Sequence, residues 1–110
     1  MAYDDALAGR LREMVGAEPD VGEKAIFGGL AFLAGGNMAV SASSRGGLLV
    51  LVDPAETESF VDDEHVRRFE MRGRAMDGWL HIDGDAVGSD DELRRWVDRG
   101  LAYARSLPPK

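Results

Sequence analysis

Four short apolar runs broken by glycines constrain this chain more than anything else in it: residues 25–30, 30–34, 38–42 and 48–52. Each has the length of a strand and falls short of a stable helix. Gly35-Gly36-Asn37 separates two of the runs and Arg45-Gly46-Gly47 the next two. These linkers suit the positive φ angles of tight turns and are far too short for crossovers, so consecutive antiparallel strands forming a meander are expected. Leu48, Val50 and Val52 alternate with Leu49 and Leu51, leaving no polar face. Such a strand is central, covered by helix on one side and on the other by a second surface or a dimer partner.

Helical patterns flank this block. Over residues 4–17, Leu7, Leu11, Met14 and Val15 recur on one stripe, Asp4 or Asp5 can cap the first turn, and Pro19 stops the segment. Near the C-terminus, Ser89 followed three positions later by Glu92 reads as a capping box. The helix behind it buries Leu93, Trp96, Val97, Leu101 and Ala104, has Gly100 where close approach to a sheet is needed, and ends at Pro108-Pro109. Asp53-Pro54 opens a short helix over residues 55–61.

Residues 66–74 carry charge at Arg68, Glu70, Arg72 and Arg74, with Phe69 and Met71 on the opposite parity, as in a strand with one wet face. Asp77-Gly78 offers hairpin-turn chemistry, and Trp79 opens the returning strand. The expected fold is therefore α+β in two layers. An antiparallel sheet packs the N-terminal and C-terminal helices on one face, and a short helix separates two β units.

The 110 residues suffice for one domain spanning 1–110 with a single core. A net charge of −7 works against non-specific attraction to nucleic acid or anionic lipid. The absence of cysteine removes disulfides and thiolate chemistry and suits a reducing, cytoplasmic setting. Neither a secretory signal nor a membrane-spanning run is expected in the acidic, glycine-broken sequence.

The segment Ile26-Phe27-Gly28-Gly29-Leu30-Ala31-Phe32 resembles the phenylalanine-glycine-glycine opening of the TfoX/Sxy N-terminal domain. Similar features follow in order through Gly36-Asn37-Met38-Ala39-Val40, Leu48-Leu49-Val50, Arg74-Ala75-Met76-Asp77-Gly78-Trp79, and the helix from Trp96-Val97 to Pro108-Pro109. The resemblance covers nearly the whole chain. It implies a stand-alone copy of a module used in bacterial competence and transcriptional regulation, without the C-terminal helical domain that accompanies it in the family's name-giving regulators. It brings no catalytic residue with it.

Taken on their own, the residues offer few chemical sites. Phe27-Gly28-Gly29 lacks the spacing of a phosphate-binding loop and is expected to bend a strand, with Phe27 and Phe32 anchoring the two halves. The acidic stretch 83–92 fails as a calcium loop because Val87 and Arg94 fall on ligand positions. Ser41, Ser43 and Ser44 lack an adjacent base. Trp79 and Trp96 are expected in the core or at an interface.

Two clusters are left. Arg68, Arg72 and Arg74, with Arg67 beside them, are the candidate interaction face for an acidic partner or phosphates, although Glu70 and Asp62-Asp63-Glu64 can pair with them. His81, Asp83 and Asp85 are the only group to nominate for metal or small-molecule chemistry, and His65 is the second histidine. The reading that follows is a non-catalytic regulatory adaptor acting through an unidentified protein partner. It needs no cofactor, and a two-fold homodimer is the simplest way to bury an apolar sheet face. A metal-dependent or small-molecule cleft, or DNA contact through residues 67–74, are the alternatives.

Overall fold

The computed structural model describes residues 3–26, 28–62 and 64–109. Helix α1 (Asp5–Val15) leads into strands β1 (Val21–Ile26), β2 (Gly29–Ala34), β3 (Asn37–Ala42) and β4 (Leu48–Leu51). A 3-10 turn (Pro54–Glu56) runs into the short helix α2 (Thr57–Phe60), followed by β5 (Val66–Met71) and β6 (Arg74–Ile82). A second 3-10 turn (Gly84–Val87) precedes α3 (Asp90–Ser106). The strands form one antiparallel sheet in the order β1-β2-β3-β4-β6-β5. The α+β class, the terminal helices and the short helix between two β units agree with the sequence reading.

The local chemistry accounts for the helix ends. Asp4 caps α1 by accepting from the N–H groups of Ala6 and Leu7. Ser89 caps α3 by accepting from Glu92 N–H at 3.2 Å, while its hydroxyl donates to the Glu92 carboxylate at 3.0 Å. That second bond replaces the backbone-directed half of the expected capping box. Leu7, Leu11 and Val15 of α1 and Leu93, Val97, Leu101 and Ala104 of α3 join Phe32, Val40, Val50, Leu80 and Ile82 in one buried core.

Three boundaries differ from the sequence reading. Strand β1 begins at Val21, four residues ahead of the expected run, and most of it is exposed. An edge strand has one neighbour and no need of apolar alternation, so hydropathy could not register it. The glycine pair does not bend one strand. Gly28, at φ +76°, lies between two antiparallel strands, and a Cβ on Gly29 would overlap the Ala42 carbonyl oxygen. Phe27, the other half of that motif, lies outside the described residues.

The third difference concerns the second hairpin, which turns at Arg72-Gly73, with φ +54° and +77°, and not at Asp77-Gly78. Two successive positive φ values match the twist of the flanking strands. Asp77-Gly78 instead lies inside β6, in a bulge. Between the pairs Arg68↔Leu80 and Glu70↔Ala75, β5 contributes Phe69 alone, whereas β6 contributes Met76, Asp77, Gly78 and Trp79. The bulge is held from the helix side. Gly78 N–H donates to the buried Thr57 hydroxyl at 2.7 Å, that hydroxyl donates to Pro54 C=O at 2.9 Å, and Val52 N–H donates to Gly78 C=O at 2.9 Å.

Helix α3 crosses β3 at a second irregularity. The register steps from Phe32↔Val40 to Leu33↔Met38, which leaves Ala39 as the extra residue. A Cβ on Gly100 would lie 2.5 Å from the Ala39 carbonyl oxygen and 2.9 Å from Val40 Cγ1. Glycine therefore sets how closely the helix approaches the sheet. In an open helix, Gly→Ala gains about 1 kcal/mol of propensity, but overpacking against a fixed backbone costs roughly 1–3 kcal/mol. Gly100→Ala is expected to destabilise the domain by about 1–2 kcal/mol, as checked by urea denaturation.

Candidate functional site

Cross-strand partners share a sheet face, so the register divides the side chains into two sets. One row runs Glu23, Phe32, Val40, Val50, Leu80, Arg68 and lies under the helices. The next row, Lys24, Ala31, Ser41, Leu49, His81, Arg67, points to the opposite side. All three helices pack on the first set: α1 and α3 through the shared core, and α2 through Phe60 against Trp96 (ring centroids 5.7 Å apart) and Glu58 on Arg68. The second set forms an open face, with no helix over it among the described residues.

That open face is largely apolar. Leu33, Met38, Leu51 and Trp79 are half-buried on four adjacent strands, around the buried Ala31 and Leu49. Towards β5, Phe69 is only 6% exposed. Its ring stacks on Trp79 at a centroid distance of 6.0 Å, and the guanidinium of Arg45 lies 4.9 Å above it. Arg45 comes from the β3–β4 loop and is steadied by donating to the Glu70 carbonyl at 2.7 Å. A cavity of about 390 Å³ opens here, lined by Arg45, Arg67, Arg68, Phe69, Glu70 and His81.

His81 closes one end of the face. Its Nε2 lies 2.7 Å from the Gly46 carbonyl, and because a carbonyl only accepts, Nε2 carries the proton. The ring fits because residue 47 is glycine: a Cβ there would stand 2.5 Å from the Ile82 carbonyl oxygen and 3.1 Å from the imidazole. Asp83 gathers the neighbouring groups. Its carboxylate lies 3.8 Å from His81 Nδ1 and 3.6 Å from His65 Nδ1, and it accepts from one amino group of Arg67 at 3.2 and 3.3 Å.

Of the residues nominated from sequence, His81 and Asp83 are brought together, while Asp85 sits exposed on the following 3-10 turn without a bond to either histidine. Among the described residues, no group of three His, Cys, Asp or Glu is placed to hold a metal ion. The arginines fare differently from expectation. Arg68, Arg72 and Arg74 do not share a strand face, because the hairpin turn falls at Arg72. Arg68 lies on the helix side, held by Glu58 and Asp77, and the Glu58 and Asp77 hydrogen bonds favour its charged form. Arg74 is on β6 and Arg67 on β5, tied to Asp83. Trp96 packs against the core beside Phe60, under the guanidinium of Arg99.

Sequence reasoning missed Asp62, which builds the entry to β5. One carboxylate oxygen accepts from the N–H groups of Glu64, His65 and Val66 at 2.8–2.9 Å. An Asp at the head of an acidic run was a usable signal for such a turn. These bonds, Val66 first, hold the Asp62 carboxyl below the usual carboxylate range. A depressed folded-state pKa contributes stability that is complete above the unfolded value and is lost as pH falls through the folded one. Asp62→Asn is therefore expected to lower stability at neutral pH and to flatten its decline in the acid range below the ordinary Asp pKa. Denaturant midpoints measured from neutral to strongly acid pH check both.

No curated protein matches this sequence. The family model described as the TfoX N-terminal domain matches residues 13–104, a span running from the last turn of α1 almost to the end of α3 and including all six strands. With the matched span containing the glycine pair, the bulge at Gly78 and the Gly100 crossing, this chain belongs to the TfoX N-terminal domain family.

Proposed function

We propose that this domain is a non-catalytic regulatory adaptor that holds another protein against the open face of its sheet. The observation that supports the reading best is the contiguous set Leu33, Met38, Leu51 and Trp79, apolar and half-buried on four adjacent strands without a helix above it. A contiguous apolar surface of this kind, rimmed by polar groups, marks an interaction site on a small domain. Family membership supports a competence-regulator-like role. The domain then influences transcription through its protein partner, not by contacting DNA itself, in keeping with the net charge of −7. Asp83 on Arg67, and Glu58 and Asp77 on Arg68, would also have to be displaced before those arginines could meet a phosphate backbone.

Site-specific photo-crosslinking tests the reading. A benzophenone side chain introduced in place of Leu33 is expected to capture a discrete protein adduct in cells, whereas the same group in place of the exposed Arg95 on α3 captures none. Equal labelling from both positions, or none from Leu33, would overturn the assignment of the open face.

A further inference from the structure

The charges around the open face are sorted by sign in a way the whole chain is not. The sequence carries 20 acidic and 13 basic residues. On the helix side, Arg10 pairs with Asp90, Arg12 with Glu23, Arg68 with Glu58 and Asp77, and Arg105 with Glu18 and Asp20, while Arg99 lies over the Phe60 and Trp96 rings and Arg94 donates to the Met14 carbonyl. By register, the charged strand positions on the open face are Lys24, Arg67 and Arg74, and the β3–β4 loop adds Arg45, with Glu70 lining the cavity beside them. Among the described residues, neither Lys24 nor Arg74 forms an ion pair, and Arg45 rests on an aromatic ring. Asp83, at the rim, is engaged by Arg67.

From this sorting we infer that the open face docks an acidic, amphipathic segment of a partner protein. Its apolar side chains would lie on Leu33, Met38, Leu51 and Trp79, and its carboxylates would meet Lys24, Arg45 and Arg74. The inference rests on the adaptor reading and specifies the chemistry of the partner. Protection of a sheet edge accounts for Lys24 on β1 but not for Arg74 on the inner strand β6 or Arg45 on the β3–β4 loop. Unpaired cations around an apolar seat steer an acidic ligand and penalise a basic one. A second copy is disfavoured on this face, since a two-fold contact would set the cations of one copy against those of the other. Nucleic acid is disfavoured because the seat is mainly aliphatic and Phe69 is already covered by Arg45 and Trp79.

The test uses fluorescence anisotropy of the full chain with three labelled probes at low and high salt: a short amphipathic peptide of leucine and glutamate, the same peptide with lysine for glutamate, and an oligothymidylate. The glutamate peptide is expected to bind, and to bind more weakly as salt rises. The double charge reversal Lys24→Glu with Arg74→Glu is expected to weaken it by about tenfold, as two exposed attractions become repulsions. Arg95→Glu serves as the matched control and leaves binding unchanged. Circular dichroism melts of each variant separate lost binding from lost folding. Failure of the glutamate peptide to bind, equal or tighter binding of the lysine peptide, indifference to the charge reversal, or preference for the oligothymidylate overturns the proposal. So does a dimer in light scattering that Leu33→Glu dissolves, which assigns the face to a second copy. Crosslinks from position 33 that persist unchanged in the charge-reversed protein overturn only the acidic specificity, whereas absence of crosslinks in the unreversed protein removes the adaptor reading itself.

Discussion

Three helices on one side of a six-stranded sheet leave the other side to be covered by the strands themselves, and that asymmetry organises the molecule. The helix side reaches full burial through close approach of α3, which glycine at position 100 permits against the irregular stretch of β3 at Ala39. The open side compensates with side chains lying across one another: Phe69 on Trp79, Arg45 on Phe69, and His81 tucked over Gly47. Each of these reduces exposed apolar area without adding a layer. What they leave uncovered, from Leu33 to Trp79, is the part of the surface most in need of a partner.

Irregularities in the sheet connect the two sides. The bulge in β6 turns the Gly78 amide to the Thr57 hydroxyl and so fastens α2 to the helix face, while the same distortion sits beside Trp79 on the open face. Ion pairs work at the periphery. Arg105, at the end of α3, grips Glu18 and Asp20 ahead of β1, and the Asp20 and Glu18 bonds push its pKa up while Arg105 draws that of Asp20 down. Such exposed pairs add modestly to stability. Their larger effect is to tie the end of α3 to the turn ahead of β1.

Much of this was legible in the chain. The glycine-separated apolar runs determined an antiparallel meander, the Ser89 cap and the Leu93–Leu101 stripe determined the final helix, and the ordered motifs carried the family resemblance, because each is a local pattern within reach of a few residues. Leu48–Leu51, apolar on both parities, marked a central strand, and β4 lies between β3 and β6. Tertiary structure alone decided the rest. Arg72-Gly73 and Asp77-Gly78 both offered turn chemistry, and the choice between them depends on which register buries Leu80 and Ile82 beneath the helices while Gly78 meets Thr57. That choice placed Arg68 under α2, put Arg72 in a turn and left Arg74 on the open side. No local pattern could anticipate it, because the sign of charge on a sheet face is settled by pairing between residues distant in sequence.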